Sequence, residues 1–112
     1  MFTITCNFIG PAHIEALRRL PNIEVVALCE ANIELATSKA AQLGIERACT
    51  FDQLLEMKDI VSVHICTPNF LHYPQSKAAL LAGKHVVCEK PLAKDLHAAE
   101  ELVALAKQTG LV

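Results

Sequence analysis

The sequence has no run of lysine or arginine, and its charges nearly cancel: ten Lys and Arg against twelve Asp and Glu leave a formal charge of −2. A nucleic-acid binder carries a basic stripe, so that class is set aside. No apolar stretch approaches the roughly 20 residues that span a bilayer, which argues against a membrane protein. The opening Met1-Phe2-Thr3-Ile4-Thr5-Cys6 lacks the basic leader of a secretory signal. These absences point to the cytoplasm. Cys6, Cys29, Cys49, Cys66 and Cys88 are odd in number, are spread along the chain and form no Cys-x-x-Cys pair. A disulfide framework or a zinc ribbon needs clustered spacing, so they read as reduced, mostly buried small hydrophobes. No repeat, low-complexity tract or linker is present, and 112 residues suit one domain able to bury a core without staples.

What is there is an alternation of apolar runs and helical patterns. Phe2–Cys6 reads as a strand, and Pro11 stands where a first helix should begin. Ile14, Leu17 and Leu20 follow at helical spacing, closed by Pro21-Asn22. Residues 23–29 form a β-branched second strand, 31–43 a helix capped by Gly44, and 47–50 a short third strand. One or two helical turns follow at 52–57. The run at 60–66 is a strong strand, broken by Thr67-Pro68-Asn69. The spacing predicts helices over 74–82 and 95–108 with a strand at 85–88 between them. Leu96, Ala99, Leu102, Val103 and Ala106 are expected on one side of the last helix, and Leu111-Val112 opens as another strand. The fold class is α/β: continuous apolar strands alternating with helices favour a doubly wound parallel sheet in three α/β/α layers.

Ligands of such sheets bind beyond the carboxyl ends of the strands. The residues there are Asn7, Phe8, Ile9 and Gly10 after the first strand, and Glu30 after the second. Thr67, Pro68, Asn69 and His72 follow the fourth, and Glu89, Lys90 and Pro91 the fifth. A dinucleotide fold wants G-x-G-x-x-G in the first turn, and of these glycines only Gly10 is present in Thr5-Cys6-Asn7-Phe8-Ile9-Gly10. Asn7 tolerates a positive φ. Glu30 stands about twenty residues beyond Gly10, where an acid holds the ribose 2′-hydroxyl of NAD; taken alone it reads more readily as a helix N-terminal acid. The two later loops read by themselves either as site residues or as ordinary punctuation with a surface ion pair. A lysine such as Lys90 in this crevice bridges cofactor and substrate oxygen as a point charge. His13, His64, His85 and His97 share no metal spacing and read as structural. No acid lies between Thr5 and Gly10, which excludes a phospho-acceptor signalling domain.

Taken together, Val63-His64-Ile65-Cys66-Thr67-Pro68-Asn69 with His72, Ala79-Leu80, Gly83-Lys84-His85-Val86 and Cys88-Glu89-Lys90-Pro91-Leu92-Ala93 resembles the glucose–fructose oxidoreductase / inositol dehydrogenase (Gfo/Idh/MocA) family. Phe8-Ile9-Gly10-Pro11-Ala12-His13 is similar to that family's first turn and helix. The likeness covers essentially the whole chain. It implies a nicotinamide-dinucleotide-binding Rossmann domain over residues 1–112, cut short at the first strand and at its carboxyl end. The family's second, substrate-holding domain is then lacking. It further implies hydride transfer between NAD(P) and a sugar, cyclitol or related hydroxyl or carbonyl centre. In that reading Pro68 and Asn69 line the dinucleotide, with His72 nearby, and Glu89 lies near the cofactor's ribose. Lys90, the catalytic candidate, reaches the nicotinamide ribose and the substrate, and Pro91 shapes the turn. Glu30 selects NAD, with NADP not excluded, since a carboxylate repels a 2′-phosphate and no Arg occupies 31–35. No metal is implied.

Two departures bear on activity. Thr5 and Asn7 stand where the family has glycines, and a Cβ at the second crowds the pyrophosphate, which predicts weakened cofactor affinity. The acid/base that the family supplies from its second domain has no counterpart, so the chain alone is expected to be inactive. The alternative is a non-enzymatic module acting in oligomerisation, through an apolar face left open by the missing domain.

Overall fold

The structure is a computed structural model; it describes the backbone of residues 2–5 and all of residues 10–112. Asn7, Phe8 and Ile9 of the first turn, and Cys6, lie outside the described residues. Among the described residues ten elements alternate: β1 (Phe2–Thr5), α1 (Gly10–Arg18), β2 (Val25–Cys29), α2 (Ile33–Leu43), β3 (Arg47–Cys49), α3 (Phe51–Glu56), β4 (Ser62–Ile65), α4 (Asn69–Leu81), β5 (His85–Cys88) and α5 (Leu96–Thr109). The strands form one sheet in the order β3-β2-β1-β4-β5, and every described pair is parallel. Chain order reverses between β1 and β4, which makes that junction the switch point of a doubly wound sheet.

Register sets the site. Thr5 pairs with both Cys29 and Ile65, and Ile65 pairs with Cys88. Four strands therefore end level, and Glu30, Cys66-Thr67 and Glu89 emerge along one edge. Behind that edge β2 and β4 are buried along their whole length. Ile14 and Leu17 of α1 and Ala36 and Ala40 of α2 pack with Val25 and Leu28. Ala27, Cys29, Val63 and Ile65 pack with Cys49, Leu54 of α3 and Ala79 of α4.

Helix ends follow their local chemistry. The Asn32 side chain accepts from Leu35 N–H at 2.8 Å and Asp95 from Ala98 N–H at 2.8 Å. Gly44 and Gly110 close α2 and α5 in the left-handed conformation, at φ of 67° and 72°. Thr50 and Gln53 form a reciprocal capping box at α3.

Four expectations are corrected. Helix α4 begins at Asn69, not Pro74, which sits inside its second turn. A proline there removes only its own N–H, and the carbonyl this orphans, on Phe70, belongs to a residue 75% exposed. On α5 the buried residues are Ala98 and Leu102, whereas Leu96 and Val103 are 74% and 50% exposed. The helix packs chiefly on α4, so a narrow stripe of it is covered. Leu20 lies beyond the end of α1 and is exposed. Val112 makes one ladder bond, from Val86 N–H at 2.8 Å, without forming a strand.

Lys84, at the opposite end of the sheet, is 3% exposed, and its ammonium donates to the carbonyls of Met57 (2.6 Å) and Ile60 (2.9 Å). Burial holds it below the usual lysine range, partly offset by the Asp59 carboxylate. It ties the connection between α3 and β4 to the entry of β5.

Candidate functional site

A cavity of about 610 Å³ opens at the level strand ends. One wall is Cys29, Glu30 and Ala31 at the end of β2; another is Thr50, Phe51 and Asp52 at the start of α3. The third comes from across the switch point: Thr67 and Pro68 after β4, with Phe70, Leu71 and Gln75 of α4. Three of the expected binding residues, Glu30, Thr67 and Pro68, thus share one cavity.

Glu30 is the charged group of that cavity with the most shelter, its side chain 9% exposed. One carboxylate oxygen accepts from Lys39 Nζ at 2.6 Å. Lys39 was not foreseen, although its place between buried Ala36 and Ala40 on α2 puts it on the sheet-facing side of the helix. Beside Glu30, Cys29 pairs in register with Cys49, and both thiols are buried and free. The contact with Cys49 and burial push the Cys29 thiol upward, so it lines the cavity as a neutral group.

The remaining candidates lie around the rim. Asn69 begins α4 and is exposed; it faces a neighbouring cavity of about 380 Å³ that also meets Tyr73, Asp95 and Glu101. Gly10 is buried at the start of α1. His72 is 1% exposed, and its ring joins two loops: Nε2 lies 2.8 Å from the Thr67 carbonyl and Nδ1 2.6 Å from the Pro91 carbonyl. Both ring nitrogens are thus engaged by backbone. The Thr67 hydroxyl donates to Gln75 Oε1 at 2.7 Å, which turns it back onto α4.

After β5, Glu89 continues the ladder by donating its N–H to the Ile65 carbonyl at 2.9 Å. Its carboxylate accepts from His13 Nε2 at 2.8 Å and from Lys90 N–H at 3.2 Å. Those bonds, His13 first, hold the Glu89 carboxyl below its ordinary range. His13 in turn meets His64 of β4, with the two Nδ1 atoms 3.1 Å apart. The Lys90–Pro91 peptide is cis. Lys90 is exposed, and its ammonium makes no hydrogen bond among the described residues. Glu89, Lys90 and Pro91 do not line the larger cavity; His72 links them to its Thr67 wall. No cluster of metal-binding side chains occurs among the described residues.

A parallel sheet in this strand order, with a cavity at its switch point and an acid at the end of β2, defines a dinucleotide-binding Rossmann domain. The family model described as "Oxidoreductase family, NAD-binding Rossmann fold" (GFO_IDH_MocA) matches residues 4–112, and the chain belongs to that family. It is 40% identical over 90 residues to a 1,5-anhydro-D-fructose reductase of Ensifer adhaerens, covering 80% of this chain and 27% of that protein. It is 38% identical over 99 residues to a dTDP-3,4-didehydro-2,6-dideoxy-alpha-D-glucose 3-reductase of Streptomyces antibioticus, covering 88% and 30%. A crystal structure of a 3-ketoreductase from Actinomadura kijaniata in complex with NADP and TDP-benzene superposes with a TM-score of 0.90 at 35% identity, covering 99% of this chain and 34% of that one. The chain spans about a third or less of the length of these relatives. Its NAD(P)-binding character stands on the family and the fold together. Among the described residues no helix is long and apolar enough to cross a membrane.

Proposed function

We propose that residues 1–112 form the cofactor-holding unit of an oxidoreductase whose substrate is a sugar or related hydroxyl or carbonyl compound. The observation that carries the cofactor placement is the cavity of about 610 Å³ with the sheltered Glu30 carboxylate in its wall. It is large enough for a nucleoside, which fits the residues to the group. The carbohydrate class draws its support from the names of the relatives above. When bound, the nicotinamide ring supplies or accepts a hydride.

The chain's own residues divide the work. Glu30 keeps one carboxylate oxygen for a ribose hydroxyl while Lys39 engages the other. NAD is the preferred form, and the Lys39 charge softens the repulsion that Glu30 would exert on a 2′-phosphate. Thr67 and Pro68 form the wall nearer the middle of the dinucleotide, and Gly10, buried at the start of α1, and Asn69, exposed at the start of α4, flank it from outside the cavity. His72 positions the Thr67 and Pro91 backbones rather than meeting cofactor. Glu89, Lys90 and Pro91 flank the nicotinamide end. There the Lys90 ammonium is free to hold a ribose or substrate oxygen, and it is the catalytic residue we propose. The proton exchange that accompanies hydride transfer needs an acid/base, and Glu89 and His13, the ionisable groups beside Lys90, are engaged with each other.

The proposal extends to a cytoplasmic setting, in keeping with the free thiols of Cys29, Cys49 and Cys88. It also extends to self-association along the outer edge of β5 and the exposed Leu96 and Val103, read by light scattering. Titration with NADH and NADPH, followed by nicotinamide fluorescence, tests the central claim. Saturable binding that ADP-ribose displaces is expected; its absence at millimolar cofactor overturns the assignment.

A further inference from the structure

Behind the Glu89-Lys90-Pro91 turn, ionisable side chains from three elements meet in a line. His13 comes from α1, His64 from β4 and Glu89 from the end of β5. The His13 and His64 rings stand edge to face, 5.4 Å between centroids at 85°. His13 Nε2 lies 2.8 Å from Glu89 Oε1, and the other Glu89 oxygen receives the Lys90 N–H at 3.2 Å. His64 is 8% exposed, and burial together with His13 lowers it to about 4, so it is neutral near pH 7. The Glu89 carboxyl is held low as well, so it accepts and His13 Nε2 donates. One hydrogen then lies between the two Nδ1 atoms, carried by His64 when His13 is neutral and by His13 when it is charged. In either case the His13 ring keeps its Nε2–H aimed at Glu89.

We infer that His13 is a positioning residue for the nicotinamide end of the site. Through Glu89 it fixes the backbone from which Lys90 projects, and His64 fixes His13. The chain of contacts runs from the buried sheet to Lys90 without touching the cavity around Glu30. Its effect on cofactor rests on the reading given under Proposed function. The anchoring of Glu89 does not.

The experiment compares the full chain with His13→Leu and His13→Gln. Leucine keeps bulk and removes both bonds, whereas the glutamine amide can donate to Glu89 and accept from His64. In the ligand-free proteins, carboxyl NMR titration of Glu89 is expected to shift to higher pH in His13→Leu and to stay near wild type in His13→Gln. With ligand, NADH affinity is expected to fall about tenfold in His13→Leu while ADP-ribose affinity, which reports the other half of the site, is unchanged. His13→Gln should restore NADH binding to within about threefold. Equal loss of NADH and ADP-ribose, or no rescue by glutamine, would reduce His13 to a packing residue and overturn the inference. An unmoved Glu89 titration would overturn it too. If wild type binds neither ligand, the cofactor assignment fails, and the Glu89 titration alone then decides whether His13 anchors the turn.

Discussion

Replacing His72 by leucine separates two roles that one side chain in this position can play. The ring is 1% exposed and lies 2.8 Å and 2.6 Å from the carbonyls of Thr67 and Pro91. Leucine is close to it in volume, so the cavity cost is small. What is lost is one or two hydrogen bonds, each worth about 1 kcal/mol net. To this is added the desolvation of the Thr67 carbonyl, which a half-buried loop partly rehydrates. The sum is about 2–3 kcal/mol, which for a chain of this length lowers Tm by about 10 °C. Urea denaturation with fluorescence or circular dichroism reads the loss, and NADH titration of the same variant, run well below its Tm, reads the site. The expected pattern is clear destabilisation with a moderate drop in affinity, since the loops loosen but no cofactor contact is removed. A variant within about 0.5 kcal/mol of wild type that no longer binds NADH would show that the ring faces the ligand, and the clamp reading would be wrong.

Other outcomes follow from the same geometry. Lys39→Ala restores the full charge of Glu30, so NADPH affinity should fall about five- to tenfold while NADH affinity holds within twofold; equal loss of both would remove Lys39 from cofactor choice. Lys84→Met keeps the buried stem but strands the carbonyls of Met57 and Ile60, and thermal unfolding should show a loss of about 1–3 kcal/mol. Because His64 titrates near 4 when folded against 6.5 when unfolded, the unfolded chain takes up the proton first. Stability should therefore decline as pH falls from 6.5 to 4, by on the order of 2 kcal/mol after allowance for solvent screening, and His64→Asn should flatten that slope in urea titrations. Below about pH 4.5 the depressed carboxyls of Glu89, Glu101 and Asp59 add further acid sensitivity, since their ion pairs are lost as they protonate.

The strands and most helix limits were legible because they rest on local signals. Apolar runs marked β2, β4 and β5, and Asp95, Gly44 and Gly110 lie at the very ends of their helices, whereas the cap at Asn32 was passed over. The start of α4 was hidden because proline reads as a breaker, yet Pro74 falls early enough to cost a single carbonyl its partner. The covered stripe of α5 was misplaced because periodicity states which residues share a face but not how wide the opposing surface is. At the site, Glu30, Thr67 and Pro68 were readable from strand ends alone. The line from His64 through His13 to Glu89 was not, since its members lie 51 and 76 residues apart and meet only when α1, β4 and β5 align. Lys39 needed the turn of α2 toward Glu30.

The capping box at Thr50 and Gln53 has an implication for diversity. One wall of the cavity proposed for the nucleotide starts with two bonds exchanged among four consecutive residues, 3.0 and 3.3 Å long, while Leu54 one position further on ties α3 to the core. Asp52, exposed between them, can therefore be varied as an independent cassette. Base or ribose preference is open to retuning at that spot while the apolar layers beneath the sheet keep their shape.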